Sequence, residues 1–280
     1  MDRSLQARIR ESAKAEDGIK AITLDRVRAL ASEFGISPRE VELTALEIHI
    51  LPRRYLRSLG TVEWEGQIKL LRSTVAVVGL GGLGGNVVEG LARMGVGRLI
   101  VVDGDVFVDH NLNRQVLSAE DDLGLLKVEV ARARVAQINA AVEVIVHPEE
   151  ATRENLPRLL EGAEVVVDAL DRLPSRLMLQ EVAQKLGIPM VHGAIAGYFG
   201  QVMTIFPGDE GLRALYGGGS VPQQGIEVQL GCPAATPMMV AAWQVQEVLK
   251  ILLGRGQLLR HKMLFMDAEA GTAEFLEIGS

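Results

Sequence analysis

Residues 75–103 read VAVVGLGGLGGNVVEGLARMGVGRLIVVD. An apolar run, Val75 to Val78, ends at Gly79, and Gly81 and Gly84 follow at G-x-G-x-x-G spacing. An amphipathic stretch then leads to a second apolar run that closes on Asp103, about 20 residues beyond the glycines. Strand, tight turn, helix and strand in this order form the unit that sets a nucleotide at a helix N-terminus. The glycines let backbone approach the ligand closely, and the free N–H groups of the first helical turn attract an anion. An acid at the tip of the second strand is placed to accept from ribose hydroxyls. The fingerprint specifies a nucleotide without saying which one.

Outward from this unit the pattern stays α/β. Continuous apolar strands are predicted at 74–79, 98–103, 143–147, 164–168 and 189–193, with helices near 84–94, 124–139, 154–161 and 174–187. Short buried strands alternating with helices predict a doubly wound, mainly parallel, Rossmann-like sheet. Past Gly193 the strands Gln201 to Phe206, Lys262 to Asp267 and Ala273 to Ile278 lack crossover helices, which predicts an antiparallel C-terminal extension. Residues 207–231 are rich in glycine and polar residues and are predicted as a mobile loop. Pro233 to Leu253 is apolar with helical period and is closed by Gly254.

Residues 1–51 differ. They carry no β-like run, and two helices are predicted there, Leu24 to Phe34 and one from Pro38 to about Ile50. The second begins at Ser37-Pro38-Arg39-Glu40, a capping box with proline at the first helical position. Two helices across a short turn are also the outline of a helix-turn-helix, but the segment has eight Lys/Arg against nine Asp/Glu and no basic stripe. We therefore expect a packing or dimerisation extension, with residues 52–280 forming the main domain.

The formal charge of −7 opposes non-specific nucleic-acid binding, which needs basic surface. No run of 18 apolar residues predicts a membrane span, and the polar start MDRSLQARIRESAKAEDG does not fit a secretory signal. The only cysteine, Cys232, rules out an internal disulfide framework and fits a reducing, cytoplasmic setting. One cysteine and five scattered histidines give no zinc-site spacing, so no zinc is expected.

The residues after Asp103 carry the chemistry. The chain reads DGDVFVDHNLNRQVL over 103–117, supplying Asp105, Asn111, Arg114 and Gln115; Lys127 and Asp171 follow. In a doubly wound sheet ligands bind outside the carboxyl ends of the strands, where Asp103 and Asp171 fall. A glycine loop, an Arg, a Lys and a separate Asp converging on one crevice suit a triphosphate with a metal ion. A nicotinamide cofactor has one pyrophosphate and needs no such cluster. Taken singly, Asp103 and Asp171 also read as turn or helix caps, and Lys127 as a solvated side chain.

At this point the sequence resembles the ThiF/MoeB/HesA family, relatives of ubiquitin-activating enzymes, over roughly residues 53–280. The likeness rests on GLGGLGG (79–85), MGVGRLIVVDGD (94–105), NLNRQ (111–115), the lysine of LLKVE (125–129), the Asp168/Asp171 pair, GQVMTIF (200–206) and QVQEVLKILLG (244–254). RRYLRS (53–58) is similar to a further family segment. The resemblance implies ATP-dependent adenylation of the C-terminal glycine of a small ubiquitin-like sulfur carrier ending in Gly-Gly, as in thiamine or molybdenum/tungsten cofactor synthesis. It implies that Gly79, Gly81, Gly82 and Gly84 line the nucleotide loop and that Asp103 holds the ribose, with Asp105 beside it. Asn111, Arg114, Gln115 and Lys127 then contact phosphates, and Asp171 binds Mg²⁺. Arg57 matches the arginine that reaches into a partner subunit's site, which implies a homodimer, and the 207–231 loop lies where relatives pass the carrier's tail.

Departures are visible as well. The C-x-x-C pairs of zinc-binding relatives are missing, Arg172 stands where Asn commonly follows the second Asp, and Ser58 replaces a glutamine. Cys232 lies a few residues from the cysteine some relatives use for sulfur transfer, and a buried structural thiol is the plainer reading. Two alternatives stay open: a NAD-binding Rossmann oxidoreductase, which leaves Arg114, Lys127 and Asp171 without a role, and a non-catalytic relative that binds nucleotide or carrier.

Overall fold

Alternation decides which face each central strand residue meets. In β4 (Thr74–Val78) every residue is buried, with Val75 and Val77 joining the core on one side of the sheet and Ala76 and Val78 the core on the other. A strand buried on both faces needs apolar residues throughout, and this is why the run is continuous rather than alternating. The computed structural model describes residues 3–16, 18–216 and 227–278. It contains, in chain order, α1 (Arg3–Ser12), β1 (Lys14–Glu16), β2 (Ile19–Ile22), α2 (Leu24–Phe34), α3 (Pro38–Glu47), β3 (Leu51–Pro52), α4 (Leu59–Arg72), β4, α5 (Gly82–Met94) and β5 (Arg98–Val102). Then follow α6 (Lys127–Ile138), β6 (Glu143–His147), α7 (Leu156–Leu159), β7 (Val165–Asp168), α8 (Leu173–Leu186), β8 (Met190–Ala196) and β9 (Phe199–Ile205). The chain continues through α9 (Leu212–Tyr216), α10 (Glu227–Leu230), α11 (Ala235–Leu253), β10 (Lys262–Asp267) and β11 (Thr272–Glu277).

The eight-stranded sheet runs β11-β10-β9-β8-β7-β4-β5-β6. Strands β8, β7, β4, β5 and β6 are mutually parallel, while β8–β9, β9–β10 and β10–β11 are antiparallel. The predicted doubly wound sheet with its antiparallel extension is thus present. The chain leaves β4 toward β5 and β6, then returns to the other side of β4 as β7, so the order reverses at β4 and β7. The chain leaves their carboxyl ends in opposite directions along the sheet, the place where ligands bind in such sheets. Side chains of α5, α6 and α11 pack on one face, and those of α7, α8 and α9 on the other.

Several sequence expectations change. The segment before residue 52 is not purely helical: α1 and a three-stranded sheet, β1-β2-β3, accompany the two expected helices. Strands of three, four and two residues are too short to show a period, and β1 and β2 turn around Gly18, whose φ of 80° suits glycine. The helix expected near 154–161 shrinks to the single turn of α7, and that near 124–139 starts only at Lys127. Within 207–231, α9 and α10 replace part of the expected loop; Leu212 is buried in the core, and residues 217–226 lie outside the described residues.

The capping box forms as read, with Glu40 N donating to Ser37 Oγ at 3.2 Å and Ser37 N to Glu40 Oε2 at 2.8 Å. In α3, Val41, Glu42, Ala45 and Leu46 are buried, and Arg39 donates to the Gly97 carbonyl at 2.9 Å. These contacts pack one face of α3 against the rest of the molecule. The seam holds a buried polar cluster. Tyr55 donates to Glu42 Oε2 at 2.9 Å, Arg54 pairs with Glu42 Oε1 at 3.1 Å, and Asn139 donates to the Tyr55 oxygen at 3.1 Å and to the Ala92 carbonyl at 3.1 Å. Burial pushes the Glu42 carboxyl up, and Arg54 and Tyr55 oppose it. Removing one partner from a buried carboxylate costs more than the bond itself. Tyr55→Phe is expected to lower unfolding free energy by about 1–2 kcal/mol, and an unchanged urea midpoint would contradict this account of the seam.

Candidate active site

The turn after β4 is glycine-dense for steric reasons that differ by position. Gly79 has φ 93°, and a Cβ there would stand 2.6 Å from the Ala169 carbonyl oxygen of the turn after β7. A Cβ on Gly84 would meet the Gly79 oxygen at 1.8 Å. Both positions exclude every other residue, and together they bring the first turn of α5 down onto the strand ends. Gly81 precedes α5 and offers no side chain to cap the helix's first N–H groups.

Asp103 fastens this turn to β5. Its Oδ2 accepts from Leu80 N at 2.7 Å and its Oδ1 from Asp105 N at 2.8 Å. Burial pushes the carboxyl up, while Lys127 and the two backbone donors oppose that. Lys127 opens α6 with its side chain buried, and its Nζ lies 2.8 Å from Asp105 Oδ2 and 4.0 Å from Asp103 Oδ2. The sequence reads Lys127 as a cation aimed at phosphate; the structure gives it an ion pair with exposed Asp105, which an incoming polyanion can replace.

In the loop after β5, Asn111 and Gln115 are buried. Asn111 Oδ1 accepts from Val108 N at 3.0 Å and holds a helical turn over 109–111. Arg114 donates from Nη1 to the His110 carbonyl at 3.0 Å and to Asn113 Oδ1 at 2.9 Å. Its Cγ lies 3.6 Å from where a Gly82 Cβ would be, and Gln115 Nε2 lies 3.9 Å from the same point on Gly81. Gln115 Oε1 is buried and has no hydrogen-bond partner among the described residues, an open acceptor beside the glycine turn.

The third segment is the turn 168–171. Ala169 N donates to the Val78 carbonyl at 3.0 Å, Leu170 N to Asp168 Oδ1 at 3.1 Å, and Arg176 grips the Leu170 carbonyl through Nε and Nη2 at 2.9 and 2.7 Å. Asp171 at its end is exposed, with no hydrogen bond or ion pair among the described residues. Arg57, between β3 and α4, is also exposed and makes no such contact with this cluster. Cys232 is half-buried; burial pushes its thiol up, and the nearby Arg114 pulls the other way.

Sequence reasoning passed over Asp168 as a site residue and missed Arg176, His192, Gln201 and Gln244, which hold the 168–171 turn. His192 was the available signal: a histidine inside an apolar strand needs partners. Gln244 of α11 donates to the Asp168 carbonyl at 2.9 Å.

These three segments meet at the switch point, the geometry on which relatedness can be judged. The ThiF family model matches residues 54–280. The chain belongs to the ThiF family. A SAMP-activating enzyme E1 of Haloferax volcanii is 42% identical over 216 residues, covering 75% of this chain and 78% of that protein. A sulfur carrier protein adenylyltransferase of Thermus thermophilus is 38% identical over 227 residues, covering 77% and 83%. Mouse adenylyltransferase and sulfurtransferase MOCS3 is 34% identical over 78% of this chain, which spans 48% of that protein. Among solved structures, E. coli MccB with ATP superposes at a TM-score of 0.70 and 22% identity, covering 81% of this chain and 72% of that one, a likeness of fold. As a ThiF-family protein the chain carries the family match from just inside the expected boundary at residue 52, with the N-terminal helices before it.

Among the described residues no group of three or more His, Cys, Asp or Glu side chains is arranged to hold a metal ion, and no helix is long and apolar enough to cross a membrane. The Lys127 pairing has a pH signature. Burial already raises the Asp103 pKa in the fold, and Lys127→Met removes the cation that opposes the rise, so the variant's carboxyl holds its proton to higher pH still. Stability then falls as pH rises from the ordinary carboxylate pKa through the raised one. We expect the variant's loss relative to wild type to be small near about pH 4, the ordinary carboxylate value, and to grow as pH rises above it in urea titrations. A loss independent of pH would refute the pairing.

Proposed function

We propose that this protein is an ATP-dependent adenylyltransferase that activates the C-terminal glycine carboxylate of a small ubiquitin-like sulfur carrier. The observation that carries the reading is the convergence, on one helix N-terminus without a side-chain cap, of the 79–84 turn, the Arg114/Gln115 loop and the turn that ends in Asp171, unpaired among the described residues. The names of the H. volcanii and T. thermophilus relatives support it and point to the kind of partner.

The residues fit a nucleotide triphosphate. The glycine turn leaves room for phosphate oxygens at free N–H groups, Asp103 stands at the β5 tip for the ribose, and Gln115 brings its Nε2 amide donor beside the same turn. Arg114 and Lys127 bring positive charge, with Asn111 shaping the loop that carries Arg114. Asp171 as a lone exposed carboxylate suits Mg²⁺, which commonly takes one or two protein carboxylates together with phosphate oxygens. When bound there, Mg²⁺ supplies charge neutralisation to the phosphates. The carrier carboxylate attacks the α-phosphorus, the bond to the β-phosphate oxygen breaks, pyrophosphate leaves, and an acyl-adenylate forms. The enzyme supplies no nucleophile; it places two anions together and offsets their repulsion.

Exposed apolar residues support a homodimer. Val106, Val108, Leu112, Leu123, Leu125 and Leu126 lie exposed along the loop that carries Arg114, and Met238 and Trp243 lie exposed on α11. Such clustering marks a covered surface. On this reading Arg57 completes the partner's site, and the protein works in the cytoplasm.

ATP–pyrophosphate exchange tests the activity. Exchange with a Gly-Gly-ending carrier, and none without it, is the expected result; NAD-dependent stabilisation without exchange would favour an oxidoreductase. Arg114→Ala and Asp171→Ala should each lower exchange by at least about tenfold, because each removes a charge contact of about 1.4 kcal/mol or more at the transition state. Mixing inactive Arg57→Ala with inactive Asp171→Ala should restore about a quarter of wild-type exchange, since half the dimers then hold one intact site of two. Failure to recover activity in the mixture would place Arg57 outside the partner's site.

A further inference from the structure

A chain of hydrogen bonds, buried at one end and open to solvent at the other, runs beneath the crevice and is not needed by the chemistry just described. His192 of β8 and Asp168 of β7 are both 0% exposed, with His192 Nδ1 2.7 Å from Asp168 Oδ2. His192 Nε2 lies 3.0 Å from Gln201 Nε2 on β9, and Gln201 Nε2 lies 3.3 Å from the Tyr216 hydroxyl. The partners settle the protons. An amide nitrogen donates, so Nε2 accepts, and Nδ1–H then donates to the carboxylate. Burial lowers the imidazole pKa while Asp168 opposes that, in keeping with a neutral ring.

Asp168 is therefore held from both oxygens. Oδ2 takes the His192 proton, and Oδ1 takes the Leu170 N–H one residue before Asp171. The backbone of the same turn is fixed by Gln244 at the Asp168 carbonyl and by Arg176 at the Leu170 carbonyl. Asp171 itself has no side-chain anchor among the described residues, and the turn sets where its Cα–Cβ bond stands. We propose that His192 is a positioning residue for the Asp171 carboxylate: as the Nδ1–H tautomer held by Gln201, it locks Asp168 in the rotamer that shapes the 168–171 turn. The logic is that of a carboxylate–histidine pair whose outer partner chooses the tautomer. This inference rests on the adenylation reading, in which Asp171 holds the metal.

Calorimetry with an unreactive methylene-bridged ATP analogue, in Mg²⁺ and in EDTA, separates positioning from general support. His192→Phe should weaken the Mg²⁺-dependent affinity by about tenfold and leave the affinity in EDTA within about twofold, the loss of one oriented charge contact. His192→Asn, whose amide N–H stands where Nδ1–H stood, should recover most of the loss. Gln201→Leu, at a half-exposed position, should weaken only the Mg²⁺-dependent part, by about threefold, through loss of the tautomer anchor. Equal losses with and without Mg²⁺, no loss in His192→Phe and Gln201→Leu, or no recovery in His192→Asn would each overturn the proposal. If His192→Phe does not fold, the Gln201→Leu and His192→Asn measurements decide it. Absence of analogue binding to the wild type would instead overturn the adenylation reading itself.

Discussion

Contact between two backbone turns sets everything else in this molecule. The Gly79 turn lies so close to the turn after β7 that a Cβ would come within 2.6 Å of the Ala169 oxygen, and Gly84 lies against Gly79 more closely still. Only backbones without side chains approach this way. The result is a helix N-terminus brought to the reversal point of the sheet, with Asp103 tying one flank and the 168–171 turn the other. Position of the crevice, direction of the helix dipole and placement of Asp171 all descend from that one approach.

Around it, charge is arranged in pairs that a polyanion can exchange. Lys127 rests on Asp105, and Arg114 rests on the His110 carbonyl and the Asn113 side chain. These resting contacts spare a buried cation from standing unpaired, which would be costly in a dry crevice. They also keep both side chains beside the glycine turn rather than dispersed in solvent. The buried amide of Gln115, its oxygen unsatisfied, is the opposite case: a polar group with no partner among the described residues.

Beneath the crevice the sheet is polar where an ordinary core would be apolar. Asp168, His192 and Gln244 are wholly buried and bonded to one another or to the strand carbonyls. Gly193 is required there because a Cβ would stand 2.5 Å from the Gln244 amide. Such a network is stable only when nearly every member is satisfied, and it then specifies one geometry sharply. The seam at Glu42, Tyr55, Arg54 and Asn139 uses the same device to fix the N-terminal helices on the domain.

Local pattern was enough for the architecture. Continuous apolar runs told of strands buried on both faces, glycine spacing told of the turn, and Ser37-Pro38-Arg39-Glu40 told of a helix start, because each depends on residues within a few positions of one another. The short strands β1, β2 and β3 were illegible, since their pairing is set by partners up to 30 residues away in the chain rather than by any period of their own. For the site, residue types were legible at Asp103, Asn111, Arg114, Gln115, Lys127 and Asp171, while their states were not. That Lys127 is paired, that Gln115 lacks a partner, and that His192 reaches Asp168 across two strands are facts of distance. Hydrogen bonds and desolvation act through space over a few ångströms, and only the folded sheet brings those groups within that range.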